Sequence, residues 1–269
     1  VTQPSAPSVL GVFAHPDDES LLAGGVLAQH AAAGARTAVV TATWTADTHR
    51  IPELTDALAV LGAGAPRLLG YADARNPASA PDSSARLVDA PLDEAVGRLV
   101  AHIRQVQPDI VIGHDVFGQL TGHPDHRRAH QITLLAVEAA GLPHLYPDAG
   151  EPWQPAALYA ATHPESGVRL LGPRLQSVGK TVHAAPEAYV TTTVDVSPWA
   201  AVKWEAILAH RSEAARPRPL PGLLARLPEA ERTEIIGTEF FTRLSPGPAP
   251  GDPHQLCALP AAVSSALPA

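Results

Sequence analysis

The chain has 269 residues, 45% hydrophobic and 17% charged, with a formal net charge of −8. That is enough for one large α/β domain with a substantial core, and its acidity argues against a nucleic-acid partner, which requires a basic stripe. The lone Cys257 excludes an internal disulfide and a cysteine-built zinc site. No basic leader with an apolar core precedes Val9, and no apolar run reaches ~18 residues. The expectation is a cytoplasmic protein with no transmembrane segment.

Val9–Ala14 is an apolar run between a proline-rich leader and a proline turn, and it reads as a buried strand. Ser20 opens a helical pattern (Leu21, Leu22, Val26, Leu27) that stops at Gly34. The β-branched run Thr37–Thr43 predicts the second strand, the loop Trp44–His49 follows, and the spacing of Leu54, Leu58 and Leu61 predicts a helix over Arg50–Leu61. Arg67–Tyr71 is a short third strand. Ala72–Asp89 has no period and reads as a long loop, the kind that is often functional or mobile. Leu92, Val96, Leu99, Val100, Ile103 and Val106 share one helical face, with Pro91 at its start. Asp109–Gly113 is the fourth strand, and His126–Ala140 is the next helix, closed by Gly141. Ala156–Thr162 and Ala188–Val196 read as strands and Pro198–His210 as a helix. Strand and helix alternate, so the expected fold is a Rossmann-like α/β protein: a mostly parallel sheet wound with helices on both faces. The expected organisation is a main domain over residues 1–215 and a C-terminal cap or tail over 216–269.

Two stretches carry chemistry. His15-Pro16-Asp17-Asp18-Glu19 follows the first strand, where ligands of a wound sheet sit. It offers one histidine and three carboxylates and has no G-x-G-x-x-G fingerprint, so it suits a cation and a proton transfer and disfavours a nucleotide-dependent oxidoreductase. Gly122-His123-Pro124-Asp125-His126 follows the fourth strand, and in a wound sheet both loops open on one edge. Together they provide the histidine and carboxylate set of a catalytic zinc, which keeps a fourth position for water.

Ala14-His15-Pro16-Asp17-Asp18-Glu19 together with Gly122–His126 resembles the LmbE/PIG-L family of zinc-dependent N-deacetylases. The likeness extends over about residues 9–215, through Val39–Thr41, Arg50–Leu54, Leu69–Asp73, Asp195-Val196, Lys203 and His210-Arg211-Ser212. The resemblance implies one Zn2+ per chain held by His15, Asp18 and His126, with Asp17 as general base. It leaves His123 as oxyanion donor and proton donor to the leaving amine, and Asp125 as the group orienting His123. Arg50 and Asp73 fall where relatives bind sugar hydroxyls. Thr121 stands near where some relatives carry a tyrosine, and Trp44 is a stacking candidate. His114 and His163 are possible neighbours of the site, and His130 reads as a satisfied, partly buried histidine.

The activity so implied is hydrolysis of an N-acetyl group from an N-acetylglucosamine moiety of a small glycosylated substrate. The loop Thr43–Asp47 departs from the Thr-x-Gly-Glu pattern of mycothiol-pathway deacetylases. The resemblance therefore points first to a glycopeptide-antibiotic pseudoaglycone of the teicoplanin or A40926 type, freed for later acylation, with the long loop and the tail forming a wide mouth. The alternative is a small conjugate such as a mycothiol precursor. The alternative of another class is a non-catalytic metal- or sugar-binding protein, against which Asp17 argues, because a binder needs no spare base. The sequence assigns no oligomeric state.

Overall fold

The computed structural model describes residues 6–245. In chain order the elements are β1 (Val9–Phe13), α1 (Asp18–Ala32), β2 (Thr37–Thr43), α2 (Arg50–Val60), β3 (Arg67–Tyr71), α3 (Leu92–Val106), β4 (Ile110–His114), α4 (Pro124–Ala140), β5 (Ala157–Thr162), α5 (Glu165–Val168), α6 (Gly172–Ser177), β6 (Thr192–Asp195), α7 (Ala200–Ala209), α8 (Arg211–Ala214), α9 (Leu220–Leu224), α10 (Glu229–Ile236) and β7 (Thr238–Arg243). The strands form one sheet in the order β3-β2-β1-β4-β5-β7-β6. Pairing is parallel from β3 to β5, and β7 runs antiparallel to both of its neighbours. This is the mostly parallel α/β sheet expected.

Strands buried on both faces read as continuous apolar runs, and the core accordingly has two layers. One joins Phe13 and Val39 of the sheet to Val26 of α1, Leu54 of α2 and Ala206 of α7. The other joins Leu10 and Val40 to Leu99 of α3 and Ile132 of α4. Gly25 permits the tight approach of α1 to the residue after β6: a Cβ there would lie 2.4 Å from Val196 Cβ. No described helix is long and apolar enough to cross a membrane.

The structure departs from the periodicity at several points. Helix α1 begins at Asp18, two residues before Ser20, because the acids that read as loop occupy its first turn. Leu92 opens α3 but is exposed. Only Thr192–Asp195 of the expected strand 188–196 pairs in the sheet; a 3-10 turn over Glu187–Tyr189 precedes it. The aperiodic loop 72–89 is packed: Ala72 bridges Arg86, Leu87 is buried, and Leu87 N–H donates to the Ala72 carbonyl. Residues 216–245, expected as part of a cap or tail, supply β7, which sits inside the sheet between β5 and β6. The rest of that stretch, with Cys257, lies outside the described residues.

The strand order reverses between β1 and β4: the chain runs outward from β1 to β3, then returns to place β4 on β1's other side. Ligands of open α/β sheets bind outside the strand C-termini at such a switch point. The loops after β1 and β4 are the two that carry the motifs.

Candidate active site

Backbone geometry at the end of β1 aims the first motif. The Ala14 carbonyl accepts from both Thr43 N–H (2.9 Å) and Thr43 Oγ1 (2.7 Å), and Ala14 N–H donates to His114 Nε2 at 2.9 Å. With Ala14 clamped, Pro16 turns the chain and Asp17 adopts φ 123°, a left-handed conformation that a non-glycine residue adopts at a cost of about 1–3 kcal/mol. Asp18 then starts α1, and its Oδ2 accepts from His15 N–H at 2.8 Å.

Three donor atoms form a small triangle. His15 Nδ1 lies 3.1 Å from His126 Nε2 and 3.3 Å from Asp18 Oδ2, and the third edge, His126 Nε2 to Asp18 Oδ2, is 3.4 Å. Tetrahedral zinc with bonds of about 2.0–2.1 Å separates neighbouring ligand atoms by about 3.3–3.4 Å, so the triangle is the right size for such an ion. The chemistry of the donors agrees. His15 Nε2 faces the Asp125 carboxylate at 3.2 Å, a partner that would keep a proton on Nε2 when a cation replaces the one on Nδ1. A second imidazole nitrogen and a carboxylate oxygen converge on Nδ1, the set of donors a cation would take. His15, Asp18 and His126 thus fit a divalent metal; overlapping groups are His15 with His123 and His126, His15 with Asp73, His123 and Asp125, and Asp18 with His114 and His126. His114 is the weakest donor, because Ala14 N–H already occupies its Nε2.

Charges around the triangle are strongly perturbed. Burial opposes a protonated His15, but hydrogen bonds to Asp125 and Asp18 outweigh it and hold the group well above the usual imidazole range. Burial likewise disfavours ionised Asp18, yet His126 and His114 draw its carboxyl well below the ordinary range. Asp17 behaves in the opposite way. Burial lifts it to about 7, assisted by Asp18 and opposed by Arg50, and a divalent cation nearby would draw it down.

His123 caps α4, its Nδ1 accepting from Asp125 N–H at 3.2 Å. That bond fixes the tautomer with the proton on Nε2. Burial first, then the neighbouring His15 and His126, push His123 down to about 3, so it is a neutral donor. The Asp125 carboxylate lies 3.8 Å from His123 Nδ1, beyond hydrogen-bond reach, and bonds His15 and Ala74 N–H (2.9 Å) instead. The expected orienting contact with His123 is therefore corrected: Asp125 orients His15, the carboxylate–histidine pairing common beside metals.

The cavity above the triangle has a volume of about 380 Å³. Every predicted site residue except Asp125 lines it: His15, Asp17, Asp18, His126, His123, Arg50, Asp73, Thr121 and Trp44. Arg50 is nearly fully buried. Its guanidinium donates to Glu213 (2.9 Å) and to the Pro16 carbonyl, stands 3.5 Å from Asp17 and lies 5.0 Å from the centre of the Trp44 ring. Trp44, which also lines the cavity, therefore packs on Arg50 and His49. Asp73 is held by Arg75 N–H and Asn76 N–H, with Oδ2 3.4 Å from His15 Nε2. His130 donates to or accepts nothing at the site; its Nδ1 meets the His114 carbonyl at 2.8 Å. His163 bonds Gln119 and lines a smaller neighbouring cavity.

Two residues were given no role by sequence reasoning. Glu19, fully buried, accepts from Asp17 N–H (3.0 Å) on one oxygen and from Ser20 Oγ (2.6 Å) on the other, which also meets His210 Nε2 at 2.7 Å. Glu213 bridges Arg50 and Arg216. The sequence signal was His210-Arg211-Ser212-Glu213, whose meaning depends on α8 folding back about 190 residues later in the chain.

The family profile described as PIG-L, GlcNAc-PI de-N-acetylase, matches residues 10–137. A 1D-myo-inositol 2-acetamido-2-deoxy-alpha-D-glucopyranoside deacetylase of Rhodococcus jostii is 40% identical over 239 residues, covering 76% of this chain and 81% of that one. Among solved structures, the N,N'-diacetylchitobiose deacetylase of Pyrococcus horikoshii aligns with a TM-score of 0.62 at 19% identity, covering 89% of this chain and 84% of the other. The A40926 pseudoaglycone deacetylase aligns at 0.54 and 18%, covering 89% and 97%; at such identities the likeness is one of fold. The sequence relatives thus agree with the second substrate reading, a small conjugate, better than with the glycopeptide. With a relative 40% identical over most of both chains and a profile match that spans both motif-bearing loops, the chain belongs to the PIG-L family of de-N-acetylases.

Proposed function

We propose that this protein is a metal-dependent N-deacetylase of a small N-acetylglucosamine conjugate, of the kind its 40%-identical relative is named for, with zinc as the metal. The observation that carries the reading is the triangle of His15, Asp18 and His126 with a surplus acid, Asp17, beside it. A cavity of about 380 Å³ supports the smaller substrate, since it sits at the low end of small-molecule pockets.

A cation held by the three ligands would supply Lewis acidity, making water more acidic and polarising the amide carbonyl. Asp17, which lines the same cavity as the three ligands, takes the proton from the attacking water. His123 donates from Nε2 to the oxyanion as the amide carbon becomes tetrahedral. Because His123 is held neutral, the proton for the departing amine comes from Asp17, which received it. Asp125 keeps His15 in the required tautomer. Arg50 holds the Pro16 carbonyl and Asp17, while Asp73, Thr121 and Trp44 border the sugar.

Incubation of the metal-loaded protein with N-acetylglucosaminyl-inositol, followed by mass spectrometry, tests this. The expected result is a product lighter by ~42 Da, as amide hydrolysis replaces acetyl by hydrogen. Metal and sugar binding with no such product would instead support the binding-protein reading, and faster turnover of a glycopeptide pseudoaglycone would restore the larger substrate.

A further inference from the structure

A second, smaller chamber adjoins the cavity. Its volume is about 50 Å³, room for about three or four water-sized groups. Leu21, Leu22 and Leu220 line both spaces and so form the partition between them. Beside these leucines a hydrogen bond crosses from one space to the other. Gln119, on the cavity wall, donates from Nε2 to the Ala161 carbonyl (2.6 Å). Its Oε1 accepts from Nδ1 of His163, on the chamber wall, at 3.0 Å.

Helix α1 sets the partition one turn from the metal triangle. Leu21 and Leu22 follow Asp18 by three and four positions, the spacing that places side chains on one helix face. An amide carbon reacting at the triangle thus has an apolar wall within reach, and the chamber lies behind that wall. The far side is apolar too: Leu171, Leu224 and, from α10, Ile235 and Ile236. Leu21 and Leu220 pack against the cluster that holds Leu224 and Ile236. The charged groups, the histidine and Thr162 on the chamber wall already have partners. Lys203 and Glu239 pair at 2.7 Å, Glu239 also accepts from Gly25 N–H and Val26 N–H, and Thr162 donates to Asp115. A space of this kind among leucine and isoleucine side chains costs stability and rewards an apolar group that enters it.

We propose that the chamber is an acyl pocket, entered past Leu21, Leu22 and Leu220, and that the protein hydrolyses amino-sugar amides whose acyl chain exceeds acetyl by about two or three methylenes. The inference rests on the deacetylase reading, which places the amide at the triangle. The bond changes are those of deacetylation. A water oxygen joins the acyl carbon, the carbon–nitrogen bond breaks, one water hydrogen passes to the amine and the other leaves with the carboxylic acid.

The test compares the metal-loaded protein on glucosaminyl-inositol carrying N-acetyl, N-propanoyl, N-butanoyl, N-hexanoyl or N-octanoyl groups, read by the free amine released. The expected kcat/KM rises about tenfold from acetyl to butanoyl, as burial of two methylenes allows, and falls again at octanoyl, which is too long for the chamber. Leu224→Phe fills the chamber from its far side and should cut the butanoyl-to-acetyl ratio about tenfold. Ile235→Ala enlarges it and should move the optimum to hexanoyl, so either variant decides if the other does not fold. A steady decline from acetyl to butanoyl overturns the pocket, as does a chain-length profile that neither variant changes. If no compound is hydrolysed, the deacetylase reading fails separately. Calorimetry with the metal-free protein then decides: tighter binding of the N-butanoyl than of the N-acetyl compound, lost in Leu224→Phe, upholds the pocket, and equal binding removes it.

Discussion

Glu19 touches neither cavity nor triangle, yet its removal should disable the site. Its Oε2 is the acceptor for Asp17 N–H, at 3.0 Å, in the residue whose φ is 123°. That conformation costs about 1–3 kcal/mol, and a hydrogen bond to a charged group returns about 1.5–3 kcal/mol, so the two nearly balance. In Glu19→Ala the balance is lost and Asp17 relaxes toward an ordinary backbone angle, carrying its carboxylate away. A displacement of about 1 Å at a catalytic group can cost ~10²-fold. The same variant strands His210, whose Nε2 meets Glu19 at 2.7 Å in a fully buried pair; breaking such a pair costs about 3–5 kcal/mol. Glu19→Gln keeps an uncharged acceptor for Asp17 N–H, so it should lose less than ~10-fold in rate and about 1 kcal/mol in stability. The assay is steady-state kinetics beside metal analysis and urea unfolding. The expected pattern is a fall in kcat with metal retained and KM nearly unchanged, far larger for Ala than for Gln. Two results would refute the reasoning: wild-type kcat in Glu19→Ala, or equal losses in the two variants, which would make charge rather than the backbone bond the relevant quantity.

Three further outcomes are expected. Asp17→Asn should keep its metal but lose ~10²–10⁴-fold in turnover, as removal of a positioned base does; metal loss measured by mass spectrometry would make Asp17 a ligand instead. His126→Ala, or exhaustive chelation, should release the metal and abolish deacetylation, and an active metal-free protein would contradict the triangle's role. The Glu19–His210 pair should also leave a signature in stability against pH. Burial opposes both charges, but each partner outweighs it, lowering Glu19 from 4.5 and raising His210 from 6.5. The Glu19 contribution is present above 4.5 and lost as pH falls through its folded value; the His210 contribution is present below 6.5 and lost as pH rises through its folded value. The stability gap between wild type and His210→Gln should therefore be widest between pH 4.5 and 6.5, and a gap that is flat across pH 4–9 would show that the pair is not ionised.

Local pattern carried much of this protein. Thr37–Thr43 and Arg67–Tyr71 have the same bounds in sequence and structure, and the helix read from Pro91 begins one residue later, at Leu92, because apolar runs and 3.6-residue spacing encode most of the burial directly. The two motifs follow β1 and β4, and alternation of strand and helix was enough to place them on one edge. Sequence left β7 unread: Thr238–Arg243 follows short proline-broken elements, and its burial comes from pairing with β5, some 80 residues away. It also left open what each charged side chain faces. Asp125 stands one residue from Pro124 and two from His123, yet its carboxylate serves His15 across the switch point. Arg50, read as a sugar contact, is committed to Glu213 and the Pro16 carbonyl by the fold of α8 over α2. Residue types and spacing fix which chemistry is available, since they depend on neighbours along the chain. Which nitrogen is free, which acid is ionised and which side chains wall a cavity depend on neighbours through space, and only the packed tertiary structure supplies those.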